Sequence, residues 1–168
     1  MDISTDSIKE LREQTGAGIM DCRNALIETE GKMESALQLI KERSLLKVEK
    51  KKDRTTSQGL IEAYIHAGGR IGAMVELNCE TDFVARTDEF KELAHQLAMQ
   101  VAAQDPQFIS PDEVLDEDDC EVEITCLLCQ PFIIDLGRSV QEIINENIGK
   151  LGENIQVSHF IRFELGSS

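Results

Sequence analysis

The chain has 168 residues, five cysteines and no tryptophan, and its 17 Lys and Arg against 32 Asp and Glu give a formal net charge of -15. A chain of that length buries about 68–70% of the surface its unfolded form exposes, enough for a core of its own, while the acidic balance would repel a phosphate backbone and argues against direct nucleic-acid binding. An odd number of cysteines set within apolar patterns argues against a complete disulfide framework and fits a reducing cytosol.

The start Met1-Asp2-Ile3-Ser4-Thr5-Asp6 lacks a basic region followed by an apolar one, and no long apolar run follows, so the chain reads as soluble, unexported and free of membrane spans. Three short helices are predicted first. Ile8 and Leu11 share a face before Gly16; Cys22, Ala25 and Leu26 follow before Gly31; Met33, Ala36, Leu37 and Ile40 mark the third. They form a small bundle over residues 1–45, with Arg12, Ile19 and Met20 at a helix end and the turn beside it, where exposure is easiest. From Lys41 to Arg54 the charge balance reverses: Lys41, Arg43, Lys47, Lys50, Lys51, Lys52 and Arg54 stand against Glu42, Glu49 and Asp53. Residues 46–57 are expected to be a basic linker helix, solvated or steering toward an acidic surface.

Residues 58–168 are expected to form an α+β core, an antiparallel sheet covered by helices. Gln58 to Cys79 reads as a hairpin, with Ile61, Ala63 and Ile65 alternating with Glu62, Tyr64 and His66 before the turn Ala67-Gly68-Gly69-Arg70. In its second strand Ile71, Ala73, Val75, Leu77 and Cys79 share one face. Phe90, Leu93, Ala94, Leu97, Ala98 and Val101 then recur at helical spacing, with Thr87 and Asp88 available as caps. Phe83 therefore sits in a short connection, either as a plug over the end of the core or as a side chain free to project.

After Asp105-Pro106 and Ser110-Pro111 break the helix, an acidic run, Asp112, Glu113, Asp116, Glu117, Asp118, Asp119, Glu121 and Glu123, reads as a solvated connection. Val122, Ile124, Cys126 and Leu128 are expected to form a strand ending near Pro131. Ser139 and Glu142 have capping-box spacing ahead of the stripe Val140, Ile143, Ile144, Ile148 and Leu151. In a closing strand Val157, His159, Ile161, Phe163 and Leu165 alternate with Ser158, Phe160, Arg162 and Glu164, which makes His159 a core histidine. Cys126-Leu127-Leu128-Cys129 has metal-pair spacing, but on a strand positions three apart face opposite ways, so structural cysteines are favoured over zinc. No nucleophile–base pair, P-loop or dinucleotide-binding glycine pattern is present, so neither an enzyme active site nor a cofactor is expected.

Three separated segments carry a resemblance. Thr15-Gly16-Ala17-Gly18-Ile19-Met20-Asp21-Cys22 with Ala25-Leu26, then Cys79 to Arg86, and finally Gly152-Glu153-Asn154-Ile155 with Phe160-Ile161-Arg162-Phe163-Glu164 resemble, in order, the translation elongation factor Ts family in its short, single-core-module form. The resemblance implies a cytoplasmic guanine-nucleotide exchange factor for elongation factor Tu, with a ubiquitin-associated-like bundle over residues 1–45. It implies docking through Arg12, Ile19 and Met20. Thr81, Asp82, Phe83 and Val84 would enter beside the nucleotide site and disturb magnesium and phosphate coordination, with Phe83 as a wedge, and the core would pair as a homodimer. Between the acidic run and Gln130 the chain lacks most of a helical stretch that short-form members carry. A rival reading, a ubiquitin-associated-like adaptor without exchange activity, leaves the middle and carboxyl-terminal matches unexplained.

Overall fold

The computed structural model describes residues 3–115 and 121–167. Helices α1 (Thr5–Thr15), α2 (Ile19–Glu28) and α3 (Met33–Glu49) come first. The Ser4 hydroxyl accepts from the Ser7 amide to open α1, and Gly16, at φ 66°, closes it in the left-handed conformation that lacks a Cβ clash. Leu11, Cys22, Ala25, Leu26, Ala36 and Ile40 form the bundle's own core, so each predicted helix exists and buries its predicted face. Helix α3 serves two cores at once: Ile40 belongs to the bundle, whereas Val48, two turns on, packs against the larger domain. Of residues 46–57, only 46–49 continue that helix; turns and extended chain follow.

The elements after it are β1 (Gln58–Ile65), β2 (Ile71–Cys79), α4 (Asp82–Ala85), α5 (Asp88–Gln104), α6 (Val122–Thr125), β3 (Pro131–Phe132), β4 (Asp135–Ser139), α7 (Val140–Leu151) and β5 (Ile155–Glu164). Strands β1, β2 and β5 make an antiparallel sheet in that order; β3 and β4 form a separate small ribbon. The architecture is α+β. Ala73, Val75, Leu77 and Cys79 of β2 are buried under α5, which contributes Phe90, Leu93, Ala94, Leu97, Ala98 and Val101, and under α7, which adds Val140, Ile143, Ile144 and Ile148. The Thr87 side chain caps α5, and Ser139 with Glu142 closes a full capping box on α7.

The strand expected over Val122–Leu128 is instead the single turn α6 and a 3-10 turn over Leu127–Cys129. Cys126 and Leu127 are neighbours and both fully buried, which a half-buried strand cannot achieve because successive residues face opposite ways. Backbone groups here are met partly by residues 107–109, the Leu127 and Leu128 amides donating to the Phe108 and Ile109 carbonyls at 2.9 and 3.0 Å beside a single parallel bridge between Phe108 and Cys126, and partly by side-chain amides. Buried Gln130 donates to the Ile124 carbonyl at 2.6 Å, and buried Gln100 donates to Gln130 Oε1 and the Pro131 carbonyl, both at 3.1 Å, while accepting from the Ile133 amide at 2.8 Å. With the strand gone, the argument that Cys126 and Cys129 face apart goes too; Cys126 is buried and Cys129 half-buried. Cys120 and Asp116–Asp119 of the acidic run lie outside the described residues. Among the described residues no three His, Cys, Asp or Glu side chains converge as metal ligands.

A bulge in β5 overturns the expected face of the closing strand. Leu77 pairs with Val157 but Glu76 pairs with His159, so Ser158 is an extra residue and the alternation changes phase. Beyond it Phe160 packs against the core and the Arg162 side chain is 14% exposed, its Nε donating to the Ala102 carbonyl at 3.0 Å. His159 is therefore not a core histidine: it lies on the open face, bonded to Glu76 at 2.9 Å. The same shift turns Ile161 and Phe163 outward beside Met74, Ile61 and Ile65, leaving one sheet face apolar and uncovered by the described residues.

Candidate partner-binding site

The segment Thr81–Val84 leaves β2 immediately after the last ladder pair, Cys79 with Ile155. Thr81 is the N-cap of α4: its Oγ1 accepts from the Val84 amide at 3.4 Å. Val84 and Ala85 point into the core. The turn thus divides its labour by side chain. Thr81 and Val84 anchor it, whereas Asp82 and Phe83 project, and Phe83 is 79% exposed. It is not a plug. Asp82 pairs with Arg86 one turn on, at 2.9 Å, a fully solvated bridge of little energetic weight. Beneath the turn the Cys79 thiol donates to the Thr81 carbonyl, and burial pushes its pKa up, leaving an inert thiol.

What fixes the backbone under Phe83 comes from far along the chain. The Glu153 carboxylate accepts from the Glu80 amide at 3.1 Å, the Thr81 amide at 3.0 Å and the Thr81 hydroxyl at 2.6 Å. In return Glu80 Oε1 accepts from the Asn154 amide at 2.7 Å. Buried Asn154 also donates to the carbonyls of Lys52 and Arg54, at 3.1 and 2.9 Å. Gly152, at φ 78°, ends α7 in the left-handed conformation and turns the chain so that Glu153 and Asn154 meet the loop. Sequence reading gave these residues no role; the one available signal was that Gly152-Glu153-Asn154 stood among the segments carrying the resemblance.

Arg12, Ile19 and Met20 lie at the α1–α2 corner, Arg12 in the last turn of α1 and the other two opening α2. All three are exposed, Ile19 by 54% and Met20 by 60%. Ile19 and Met20 are two adjacent apolar side chains in water at the start of a helix, and they stand outside the bundle's core.

A family model described as Elongation factor TS matches residues 4–124, which include every one of these projecting residues. Curated relatives called Elongation factor Ts align along nearly the whole chain. The one from Syntrophomonas wolfei is 45% identical, covering 98% of this chain and 91% of the relative; that from Thermotoga maritima is 45% identical, covering 99% and 98%. The chain belongs to the elongation factor Ts family. Its place is accordingly in translation elongation. The Moorella thermoacetica elongation factor Ts, 44% identical, covers 98% of this chain and 96% of itself, over 197 aligned positions. That span exceeds the 168 residues present, so this elongation factor Ts relative carries positions that this chain lacks. Among the described residues no helix is long and apolar enough to cross a membrane.

Proposed function

We propose that the chain is a guanine-nucleotide exchange factor for elongation factor Tu, acting in the cytoplasm without making or breaking a covalent bond. The carrying observation is Phe83: a 79% exposed phenylalanine on a turn whose backbone and flanking residues are held from both sides. An apolar ring kept in water on a rigid mount is suited to insertion into another protein.

By linkage, a factor that weakens GDP binding is itself bound more weakly by the GDP form, to the same extent in free energy. Phe83 supplies the competing contact. Seating it in the partner contributes roughly 1.5–3 kcal/mol, and small shifts of ligands spoil the octahedral geometry that magnesium demands. Asp82 brings negative charge to the same place, while Thr81 and Val84 hold the turn. Arg12, Ile19 and Met20 of the helical residues 1–45 provide a second, separate contact that keeps the factor bound while nucleotide leaves. The core, residues 58–168, pairs with a second copy through its open sheet face, where Ile61, Ile65, Met74, Ile161 and Phe163 form one apolar surface.

Stopped-flow release of fluorescent GDP from elongation factor Tu tests the reading. Substoichiometric protein should accelerate release and leave the nucleotide chemically intact; an unchanged rate at saturating factor would reject it.

A further inference from the structure

We infer that Glu153 is a positioning residue for exchange, its carboxylate setting the direction in which Phe83 projects. The inference rests on the exchange-factor reading above and adds a residue to it. Phe83 has almost no packing of its own, so its direction is set by the backbone at Glu80 and Thr81. That backbone leaves the sheet one residue after the Cys79–Ile155 pair, beyond the reach of ladder hydrogen bonds.

Three donors of the turn, the amides of Glu80 and Thr81 and the Thr81 hydroxyl, converge on the two oxygens of Glu153. Charge-assisted bonds of this kind are stronger than neutral ones. The glutamate is itself fixed, because the Glu80 carboxylate takes the next amide along, Asn154, and the Asn154 side chain is tied to the carbonyls of Lys52 and Arg54. Two carboxylates brought this close repel one another. The arrangement holds because each is satisfied by backbone N–H groups and because Arg54 Nη1 stands 3.5 Å from Glu80 Oε1.

A role in stability alone does not account for the placement. The strands on either side are already joined by their ladder and by the core beneath, and the clamp starts where those end. Its effect falls on the turn.

The test compares wild type with Glu153→Ala, Glu153→Gln and Thr81→Val, using elongation factor Tu loaded with fluorescent GDP. Glu153→Ala should fold and still bind the nucleotide-free GTPase through the α1–α2 corner, its affinity reduced by no more than loss of the Phe83 contact. GDP release at saturating factor should fall roughly tenfold or more, the size of effect that small misplacements produce, and the Glu80 and Thr81 amides should exchange hydrogen faster. Glu153→Gln should restore most of the rate, since its amide oxygen can accept both N–H groups and its NH2 can donate to the Thr81 hydroxyl. Thr81→Val, which lacks the hydroxyl, should show the same selective loss of rate. A Glu153→Ala protein that releases GDP at the wild-type rate, or does not fold, overturns the inference. So does a Glu153→Gln protein as impaired as the alanine variant. If wild type itself fails to accelerate release, the exchange-factor reading is what has failed.

Discussion

Replacing Phe83 by alanine separates insertion from packing because the two roles put the free energy in different places. With 79% of the residue exposed, about one fifth of a phenylalanine's burial contribution is present in the free protein. At 1.5–3 kcal/mol for full burial, that is about 0.3–0.6 kcal/mol of stability, or a melting shift of about 1–2 °C for a chain of this length. A phenylalanine plugging the core would instead cost about 3–5 kcal/mol. The remaining four fifths become available only when the ring is buried in a partner, giving about 1.2–2.4 kcal/mol, a factor of roughly 8–60. Melting and stopped-flow GDP release should therefore be measured on one preparation. The expected variant melts within a few degrees of wild type and releases GDP at least several-fold more slowly at saturating factor. A variant destabilised by ten degrees or more, or one folded and undiminished in exchange, would refute the assignment.

At the α1–α2 corner, Ile19→Ala with Met20→Ala should leave the melting temperature unchanged, both side chains being more than half exposed, and weaken binding to nucleotide-free elongation factor Tu by up to about 2–3 kcal/mol; equal affinity in titration calorimetry would remove the corner from the interface. On the open sheet face, Phe163→Glu should fold but weaken the proposed pairing with a second copy by a factor of about a hundred or more, since pairing would bury an unpaired charge; sedimentation velocity that shows the same species for both proteins at micromolar concentration contradicts the sheet-to-sheet pairing. Burial alone would raise the Glu146 carboxyl, but Lys150 and then Arg138 outweigh it and hold it below its ordinary 4.5. Its contribution, roughly 0.5–1 kcal/mol, is therefore complete above that value and lost as the pH falls through the depressed one. Glu146→Gln should melt below wild type at pH 7 and converge with it near pH 3; a gap that persists in acid would show that the charge is not responsible.

Long periodic elements were legible because one property decides them. Helix α5 buries each of the six apolar residues its spacing marks out, and β2 buries Ala73, Val75, Leu77 and Cys79 as its alternation requires. The caps at Thr87 and Ser139 were legible for the same reason: the chemistry is local. The clamp was not. Glu153 and Thr81 are separated by 72 positions, and only the pairing of β2 with β5 brings their turns together. The segment around Cys126 failed differently, since Val122, Ile124, Cys126 and Leu128 do alternate, yet the backbone is satisfied without a regular strand: the Leu127 and Leu128 amides meet the Phe108 and Ile109 carbonyls, and buried Gln130 meets the Ile124 carbonyl.

The bulge at Ser158 has the widest consequence. Read with strict alternation, β5 puts Val157, His159, Ile161 and Phe163 on one face, which would bury a histidine and send Phe160 and Arg162 into solvent. One inserted residue reverses that outcome for everything after it. Before the bulge β5 buries Ile155 and Val157 under the helices; after it, Phe160 takes over the core and the apolar residues Ile161 and Phe163 move to the uncovered side, opposite Met74 and Gly72 of the central strand. A strand without the bulge would leave Ile61, Ile65 and Met74 on the outer face, add Phe160 and Arg162 to it, and turn His159, Ile161 and Phe163 inward. With it, both faces are apolar at the far end of the sheet, the inner one covered by α5 and the outer one by nothing among the described residues. Glu76, Asn78, Ser158 and His159, joined by their own hydrogen bonds, mark where the polar part of that outer face ends. The residue that breaks the alternation thus adds Ile161 and Phe163 to the apolar surface of Ile61, Ile65 and Met74, the surface proposed above to meet a second copy.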